Sequence, residues 1–447
     1  MQAILPEKLK ILAAALKKPL YVVGGACRDF LAGIKAVRAD FDICAPLSAD
    51  EVCAAAEKVG LFVSAVYKNT GTVLIRDGAE IYEFTSFRTD RYVRGVHSPA
   101  EVFFTDDILS DARRRDFKCN AVYYDISAEK FVDPLGGIVD IENRRVTTVV
   151  DADKVFGEDG LRLMRLCRIS AQIGFTPTEE CVAGAYKNRA LIEDIAAERV
   201  WAELNAVLSA DEKYGVNGAQ YQGLKLLHKT GVLGKLLPEL TLGDNMFQRK
   251  DFHDYDVLEH TFRCVLYAPP AVRLAALLHD VGKPYCKINY GRFARHEEEG
   301  ADIAEKILKR LRAPSKVVER TRDLVRWHMY DLSGAASENK IRKFIINHLE
   351  IFDELLLLKQ ADFSACKDDL SPAPCVVKWK SIYKKMSDEG VPFTLKQLNV
   401  RGDELIGAGI CPDETAKTLK MLLGECAIGN VKNDRESLIK YALARSK

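Results

Sequence analysis

Two aspartates separated by one residue, Asp40 and Asp42, have the side-chain type and the spacing that suit chemistry at phosphate groups. We expect them on a short strand, where alternate side chains share a face, so that both carboxylates point the same way and Phe41 points into the core. Carboxylates about 7 Å apart along a strand can together hold two Mg²⁺ ions that lie roughly 3.5–4 Å from each other. The pair therefore predicts a catalytic two-metal site for phosphoryl or nucleotidyl transfer.

The elements just before these aspartates must position the substrate. An apolar strand over Leu20–Val23 leads into Gly24 and Gly25, and a helix that carries Arg28 follows. Paired glycines let backbone N–H groups approach a triphosphate closely, and the positive end of the following helix points at it. We therefore predict that Gly24, Gly25 and Arg28 bind the phosphates of a nucleotide.

This ordered set, GG-x-x-RD and then D-x-D, resembles the signature of the polymerase-β-like nucleotidyltransferases, and more narrowly that of the class II tRNA nucleotidyltransferase (CCA-adding enzyme) and bacterial poly(A) polymerase family. Two later segments fit the same family: RRDFKCNA, with Lys118 where the family usually has Thr, and DPLGGIVD over 133–140. The resemblance extends over nearly the whole chain. It implies an α+β fold, with a small polymerase-β-like nucleotidyltransferase head followed by an all-helical neck, body and tail, and Mg²⁺ bound by Asp40 and Asp42.

The resemblance also assigns nucleotide-binding residues. Arg114 and Arg115 can each form bidentate pairs with phosphate oxygens, and Asp116 and Asn120 are expected to hydrogen-bond a ribose hydroxyl. A helix predicted over 158–168 supplies the others. These are Asp159, Arg162, Arg165 and Arg168.

Asp159 and Arg162 are three residues apart, which places them on one face of that helix, and the family reads the incoming base here. An aspartate accepts a hydrogen bond from the exocyclic amine of cytosine or adenine, and an arginine donates to the ring acceptor beside it. UTP and GTP present the opposite order, so either would leave buried polar groups unpaired. An ion pair on the helix surface is the alternative interpretation.

Three other segments of the N-terminal half bear on the site. Glu83, on a strand predicted over Glu80–Phe87, is either a third active-site carboxylate or a surface residue. Residues 88–107 are rich in charge and turn formers and are predicted to form an exposed loop; in the family, a mobile loop at this place accompanies the switch from C to A addition. Glu198–Leu204 resembles the family's ERxxxEL pattern and is predicted to brace the neck.

A second group of chemistry-bearing residues lies in the C-terminal half. Five of the eight histidines fall within 253–296 or at position 328, and most of them stand beside acidic residues. Histidine and aspartate on neighbouring helices are good ligands for a transition-metal ion such as Mn²⁺, Fe²⁺, Ni²⁺ or Co²⁺. The predicted ligands are His260, His279, Asp280, His296, His328 and Asp362.

The pair His279-Asp280 with the helix stop at 282–284 resembles the signature of the HD phosphohydrolase superfamily, and the order of the remaining ligands resembles its dinuclear members. Such sites hydrolyse phosphoesters through a metal-activated water. HD-bearing relatives are associated with 2′,3′-cyclic phosphodiesterase and phosphatase activity. A degenerate domain that serves only as a scaffold is the alternative.

Basic side chains of the C-terminal half have two interpretations. Residues 306–326 are either the charged side of amphipathic helices or a surface for the tRNA phosphate backbone. The tail from Leu395 to Asn433 resembles the family's C-terminal domain that grips the tRNA elbow. The lysines that fit this electrostatic role are Lys378, Lys380, Lys384, Lys385 and Lys396.

The composition bounds these interpretations. A chain of 447 residues with 48% apolar and 29% charged residues is typical of a globular protein of two to four domains. The net charge of +1 means that an RNA site must come from local basic patches. The N-terminus lacks the pattern of a leader, and none of the twelve cysteines forms a C-x-x-C pair, so we expect a cytoplasmic protein with reduced cysteines.

The predicted domains are a nucleotidyltransferase head (1–145), a neck with base-recognition and RNA-binding helices (146–245), an HD domain (246–365) and a helical tRNA-binding tail (366–447). The predicted function is addition or repair of the 3′-terminal CCA of tRNA, with tRNA, ATP and CTP as partners, no membrane partner, and phosphodiesterase or phosphatase activity at the HD site. A poly(A) polymerase or an A-adding enzyme is the alternative within the family. An HD phosphohydrolase with an RNA-binding head is the alternative of another class, and a non-catalytic RNA-binding protein is a third. The sequence leaves the oligomeric state open.

Overall fold

A computed structural model describes residues 1, 4–34, 41–91 and 100–445 of the chain. The chain divides into two compact units, Met1–Thr241 with Arg310–Ala313 and Leu242–Lys309 with Pro314–Lys447. Every strand of the described residues lies in the first unit, and the second unit is built from helices. The predicted α+β fold, a head with a sheet followed by helices, is confirmed.

Eleven strands occur among the described residues. They are β1 (Tyr21–Val23), β2 (Phe41–Ala45), β3 (Phe62–Tyr67), β4 (Thr72–Asp77), β5 (Glu80–Ser86), β6 (Arg88–Arg91), β7 (Glu101–Phe104), β8 (Tyr123–Asp125), β9 (Lys130–Val132), β10 (Arg145–Val146) and β11 (Thr176–Pro177). Seven of them form one sheet in the order β3-β4-β5-β2-β1-β8-β9. Within it, β2 and β5 run parallel and the other neighbours are antiparallel.

The centre of this sheet brings the predicted active-site segments together. The register pairs Val23, just before the two glycines, with Asp42. Phe41 is buried and Asp42 is exposed, as predicted for these two residues of β2. On the other side of β2, Glu83 of β5 is the register partner of Asp42. Asp40 lies outside the described residues.

A tight turn joins β4 to β5. Asp77 and Glu80 are register partners, so Gly78 and Ala79 form the two-residue loop. Gly78 has a φ of 60°, a left-handed conformation that suits glycine at the first position of such a loop.

Part of the predicted loop over 88–107 is wrong. Its ends form the antiparallel pair β6 and β7, with Arg88 opposite Phe104 and Arg91 opposite Glu101. The many charged residues of the segment made its strand pattern difficult to recognise in the sequence. Residues 92–99 between the two strands lie outside the described residues.

Thirteen α-helices occur in the described part of the first unit. They are α1 (Glu7–Ala15), α2 (Gly25–Leu31), α3 (Ala49–Lys58), α4 (Ile108–Arg113), α5 (Gly137–Glu142), α6 (Ala152–Glu158), α7 (Leu161–Ile173), α8 (Glu179–Asn188), α9 (Ala197–Leu208), α10 (Ala210–Tyr214), α11 (Ala219–Lys229), α12 (Val232–Leu236) and α13 (Pro238–Thr241). A capping box starts α3, because Ser48 Oγ accepts a hydrogen bond from the Glu51 amide while the Glu51 carboxylate accepts one from the Ser48 amide.

The single helix predicted over 158–168 is wrong, because the chain breaks it at Asp159 and Gly160. Asp159 has extended backbone angles, φ −144° and ψ 107°, between α6 and α7. Its Oδ1 accepts a hydrogen bond of 2.9 Å from the Leu161 amide. A Cβ atom at Gly160 would lie 2.5 Å from the Leu191 carbonyl oxygen, so glycine permits the close packing at this corner.

The second unit carries the remaining α-helices of the described chain. They are α14 (Val257–Tyr267), α15 (Arg273–Leu278), α16 (Gly282–Tyr290), α17 (His296–Arg310), α18 (Ser315–Trp327), α19 (Glu338–Asn347), α20 (Phe352–Lys367), α21 (Pro374–Asp388), α22 (Gly402–Gly407), α23 (Thr415–Ala427) and α24 (Arg435–Arg445). Five of them, α14, α15, α17, α18 and α20, carry the predicted metal ligands within their span or at one of the two residues that follow. Among the described residues, no helix combines the length and the apolar character needed to span a bilayer.

Candidate active site and candidate metal centre

Gly24 and Asp42 lie in contact at the edge of the first site. Gly24 follows β1 with a φ of 79°, and a Cβ atom there would lie 3.0 Å from Oδ2 of Asp42. Gly24 also precedes α2, so its backbone leads directly into the N-terminus of that helix. Glycine is required here because a side chain would both strain the backbone and displace the carboxylate.

Arg114 and Arg115 are held by a buried carboxylate that the sequence did not single out, Asp111. One oxygen of Asp111 accepts a hydrogen bond of 2.8 Å from Arg114 Nε, and the other accepts one of 3.0 Å from Arg115 Nη2. Tyr123 donates its hydroxyl proton to the same Asp111 oxygen at 2.8 Å. Burial alone would raise the pKa of Asp111, but the two guanidinium groups outweigh burial and lower it. Asp111 therefore stays ionised and fixes both arginines.

Asp116 and Asn120 are neighbours, as the motif predicts. Asn120 donates to Oδ1 of Asp116 at 3.1 Å, and Arg165 of α7 donates to Oδ2 at 2.6 Å. Burial opposes ionisation of Asp116, but the Arg165 guanidinium outweighs it and holds the pKa well below its usual range. Lys118, the departure from the family motif, is partly exposed and donates its backbone amide to the Thr147 carbonyl.

Arg162 is anchored by the main chain around it. Its guanidinium donates to the carbonyl oxygens of Val155 and Arg114 at 3.0 and 2.7 Å, and to the Glu158 carboxylate at 3.1 Å. Burial raises the pKa of the Asp159 carboxyl. Although no continuous helix connects Asp159 to Arg162, both side chains border the same cavity.

Arg28 and Arg168 are each positioned by an acidic partner. Arg28 donates to Asp29 at 2.6 Å and to the Asn120 oxygen at 2.7 Å. Tyr214 of α10 donates to the second Asp29 oxygen at 2.6 Å. Arg168 Nε donates to Glu203 of α9 at 2.7 Å. Glu203 belongs to the ERxxxEL-like segment, in which the sequence predicted a bracing role.

These residues surround one cavity of about 370 Å³ in the first unit, within the size range of small-ligand sites. All of the predicted nucleotide-binding residues of the head and neck line it, as does Asp42. Six lining residues were not predicted as site residues: Leu161, Ile169, Gln172, Arg199, Lys213 and Tyr214. The lining contains eight cationic side chains and three carboxylates. The cationic ones are Arg28, Arg114, Arg115, Arg162, Arg165, Arg168, Arg199 and Lys213. This excess of positive charge suits a polyphosphate.

The six predicted metal ligands of the second unit lie together, and we call them the HD cluster: His260, His279, Asp280, His296, His328 and Asp362. They form two groups of three whose ligand atoms lie within 4.8 Å of one another. The first group is His260, His279 and Asp362, and the second is Asp280, His296 and His328.

Asp280 connects the two groups. Its Oδ2 lies 3.2 Å from Nε2 of His279 and 3.5 Å from Nε2 of His260, and its Oδ1 lies 3.1 Å from Nε2 of His296. Lys283 also lies 2.7 Å from Oδ2 of Asp280. A carboxylate shared by two sets of nitrogen ligands suits two transition-metal ions.

Basic residues over 306–326 are mostly paired with acidic side chains. Arg310 lies 2.7 Å from Glu239, Arg320 lies 2.5 Å from Glu354, and Arg326 lies 3.0 Å from Asp302. This favours the charged side of amphipathic helices over an RNA surface. In the tail, Lys378 donates to the carbonyl oxygens of Gly334 and Ala336, and Lys385 pairs with Glu338.

Three segments of the chain match known families. Residues 20–147 match the family described as "Poly A polymerase head domain", residues 174–242 match "Probable RNA and SrmB- binding site of polymerase A", and residues 257–363 match "HD domain". The fold and the two sites thus define a protein with a poly(A) polymerase-type head and an HD domain.

Full-length relatives define the family more narrowly. The chain is 32% identical over 363 residues to the A-adding tRNA nucleotidyltransferase of Deinococcus radiodurans, which covers 77% of this chain and 76% of the relative. It is 29% identical over 442 residues to the CC-adding tRNA nucleotidyltransferase of Thermus thermophilus, covering 94% and 92% of the two chains. The chain belongs to the class II tRNA nucleotidyltransferase family.

A solved structure shares the fold. The crystal structure of the Bacillus stearothermophilus CCA-adding enzyme in complex with CTP matches with a TM-score of 0.69 at 21% identity. The match covers 99% of this chain and 98% of that one. The resemblance stated from the motifs is thereby confirmed.

Proposed function

We propose that this protein adds or repairs the 3′-terminal CCA of tRNA, using CTP and ATP and no nucleic-acid template. The observation that carries the proposal is the cavity of the first unit. It combines Asp42 at one edge, a set of cations suited to a triphosphate, and the pair Asp159 and Arg162 suited to a base edge. Relatives named for A addition, CC addition and CCA addition support the same reaction class.

The exposed face of β2 suits Mg²⁺, because Asp42 offers hard oxygen ligands beside the exposed Glu83 of β5. We assign the metal to Asp40 and Asp42, with Glu83 as a further carboxylate. When bound, Mg²⁺ would activate the primer 3′-hydroxyl and neutralise the departing pyrophosphate.

The residues of the chain itself perform the binding and the selection. Arg114 and Arg115, fixed by Asp111, would hold the phosphates together with the backbone of Gly24 and Gly25. Asp116 and Asn120 would face the ribose. The guanidinium groups of Arg28, Arg165 and Arg168 would neutralise the remaining negative charge of the nucleotide.

Base selection would follow from the fixed order of acceptor and donor at Asp159 and Arg162. Because Arg162 is held by three hydrogen bonds, it cannot turn to suit a base with the opposite order. Uracil or guanine would therefore leave buried polar groups unpaired, at a cost of about 1–3 kcal/mol per group.

The test is incorporation onto tRNA transcripts that end at the discriminator base, after C, and after CC. Each transcript is incubated with Mg²⁺ and ATP, CTP or both, and the 3′ ends are sequenced. A stop at CCA on all three transcripts is the expected result. A long A tract would indicate a poly(A) polymerase, and A addition restricted to the CC transcript would indicate an A-adding enzyme. No extension would contradict the proposal and favour an HD hydrolase with an RNA-binding head.

The proposed substrates also indicate the compartment in which the protein acts. tRNA, ATP and CTP are the partners, and the cytoplasm is the compartment in which they meet. We propose the division into head (1–145), neck (146–245), HD domain (246–365) and tail (366–447). The lysines Lys380, Lys384 and Lys396 are the proposed tRNA contacts of the tail.

A second activity is favoured by the HD cluster. We propose that its two groups of ligands hold Mn²⁺, Fe²⁺, Ni²⁺ or Co²⁺ for hydrolysis of phosphate esters such as 2′,3′-cyclic phosphates. When bound, these ions would supply a hydroxide nucleophile at neutral pH. The chain itself would orient His279, His296 and His328 through the backbone carbonyls that contact their Nδ1 atoms.

The two proposed activities can be separated. His279→Ala with Asp280→Ala should abolish metal-dependent phosphodiester hydrolysis and leave nucleotide incorporation unchanged. Asp40→Ala with Asp42→Ala should do the reverse. Hydrolysis that survives the first pair would contradict the HD assignment, and incorporation that survives the second would contradict the head assignment.

A further inference from the structure

His260 differs from the other histidines of the HD cluster in the surroundings of its second ring nitrogen. In His279, His296 and His328, Nδ1 lies 2.8, 2.9 and 2.6 Å from a backbone carbonyl oxygen. That is how metal-binding histidines usually fix their orientation. In His260, Nδ1 is buried and has no hydrogen-bond partner within the described part of the chain. Since Nε2 of His260 already faces Asp362 at 3.1 Å, a ring nitrogen remains for another ligand.

Two side chains outside the HD cluster stand next to His260. The His253 ring lies 4.9 Å from the His260 ring, centroid to centroid and at 89°, and Nδ1 of His253 is also buried without a partner among the described residues. Cys366 follows Asp362 by four residues on α20, so both face the same side of the helix. One ligand atom from each of His253, His260 and Cys366 lies within 4.8 Å of the other two.

We propose that His253, His260 and Cys366 form a third metal site that shares His260 with the HD cluster. The Nε2 atom of His260 serves the HD cluster and its Nδ1 serves the third ion. The site differs from the HD cluster in its chemistry, because it offers a thiolate as well as imidazole nitrogens. A mixed sulfur and nitrogen donor set selects Zn²⁺ over ions that prefer oxygen.

Binding at this site changes the protonation of its ligands. The Cys366 thiol and the remaining ring N–H of His260 each lose a proton to solvent, since a thiolate and a nitrogen lone pair bind the ion. Three protein ligands leave the fourth tetrahedral position of zinc for water or a substrate atom. The proposal depends on the HD assignment only through the shared histidine, and its test reads metal–sulfur bonding rather than hydrolysis.

The test is X-ray absorption at the zinc edge on the full-length protein, stripped with a chelator and reloaded with Zn²⁺. We expect a sulfur neighbour at about 2.3 Å from zinc beside nitrogen and oxygen neighbours at about 2.0 Å. Cys366→Ser should remove the sulfur neighbour, and Cys411→Ser, at an exposed cysteine, should keep it. A wild-type spectrum without sulfur, or a sulfur neighbour that survives Cys366→Ser, would overturn the proposal.

Two further variants distinguish the loss of this metal site from unfolding of the protein. His296→Ala should lower the total zinc content while the sulfur neighbour remains, since His296 belongs to the other half of the HD cluster. His253→Asn should weaken Co²⁺ binding at least tenfold. The binding is measured from the thiolate-to-cobalt absorption band, and the far-ultraviolet circular dichroism should be unchanged. An unchanged cobalt titration in His253→Asn would show that His253 is no ligand and would refute the site.

Discussion

The Cβ position of Gly24 lies 3.0 Å from Oδ2 of Asp42. This relationship joins the turn proposed to receive the phosphates to the strand that carries Asp42, a proposed metal ligand. A side chain at position 24 would have to push the carboxylate aside, and it would also have to adopt a φ of 79° that only glycine tolerates easily. The glycine is therefore part of the site as well as part of the turn.

Gly24→Ala should reduce nucleotide incorporation by more than tenfold. Gly33→Ala is the matched control, because Gly33 also has a positive φ, 67°, but has no neighbouring atom within 4 Å of a Cβ. The control should cost about 1–2 kcal/mol of stability and leave the rate per folded molecule unchanged. Single-turnover incorporation of CTP measures the effect, and equal rates for both variants would contradict the role of the contact.

Asp159→Asn should relax base selection. An asparagine offers both a donor and an acceptor, so uracil and guanine would find a partner, and discrimination against UTP should fall at least tenfold, or about 1.4 kcal/mol. Asp153→Asn on α6 is the control, since Asp153 is bonded to Lys187 and Asn188 instead. Competition between CTP and UTP on one transcript measures the ratio; unchanged discrimination would place the base elsewhere.

Lys359→Met should weaken metal binding at the HD cluster by roughly ten- to a hundredfold, the range seen for residues that orient metal ligands. Lys359 is fully buried and donates to the carbonyl oxygens of His328 and Tyr330 at 2.6 and 2.7 Å. Removing those bonds frees the segment that carries His328. Calorimetric titration with Mn²⁺ measures the affinity, and incorporation should not change.

The control for this experiment is Lys378→Met. Lys378 also donates to two carbonyl oxygens, those of Gly334 and Ala336 at 2.6 Å, but neither residue is a metal ligand. Equal loss of Mn²⁺ affinity in both variants would mean that the effect is general destabilisation rather than orientation of His328.

Glu425 should stabilise the second unit in a pH-dependent manner. Hydrogen bonds from Lys343, and further ones from Asn430 and Tyr441, lower the pKa of Glu425 to about 2, against about 4.3 in an unfolded chain. Since the folded pKa is the lower one, the contribution is complete well above pH 4.3 and is lost as the pH falls toward 2.

Glu425→Gln should accordingly cost about 1–2 kcal/mol at pH 7 and very little near pH 2. Urea unfolding at a series of pH values measures the difference from the wild type. Glu436→Gln, at an exposed residue of α24, should show no such trend. A difference for Glu425→Gln that stays constant with pH would contradict the ionic origin.

The sequence predicted the residues of the cavity better than the contacts that hold them. Short motifs place Arg114, Arg115, Asp116 and Asn120 within a few positions of each other, so local pattern was sufficient. Tyr214, by contrast, reaches Asp29 across 185 residues, and no local pattern announces such a partner. Glu203 and Tyr214 were missed as partners of specific arginines for this reason. Asp111 was missed although it lies only three and four residues before Arg114 and Arg115.

The two corrections to the fold have local physical causes. Periodicity favoured a helix through Asp159, but the side chain of Asp159 accepts the Leu161 amide and the packing of Gly160 against Leu191 turns the chain. Charged residues favoured a loop over 88–107, but strand pairing between β6 and β7 depends on alternation rather than on polarity. In the HD cluster, the order of histidines and aspartates along the chain predicted six residues that the structure brings together, whereas His253 and Cys366 became candidates only from their positions in space.

The buried cysteines of each unit can report how often the structure around them opens. Cys411 is exposed, whereas Cys44 and Cys167 in the first unit and Cys264 and Cys286 in the second are buried. A thiol reagent should therefore modify Cys411 at once, and the buried thiols only at the pace at which their surroundings transiently open. Mass spectrometry of the labelled peptides would then rank the local opening free energies of the first and the second unit in a single unmutated sample.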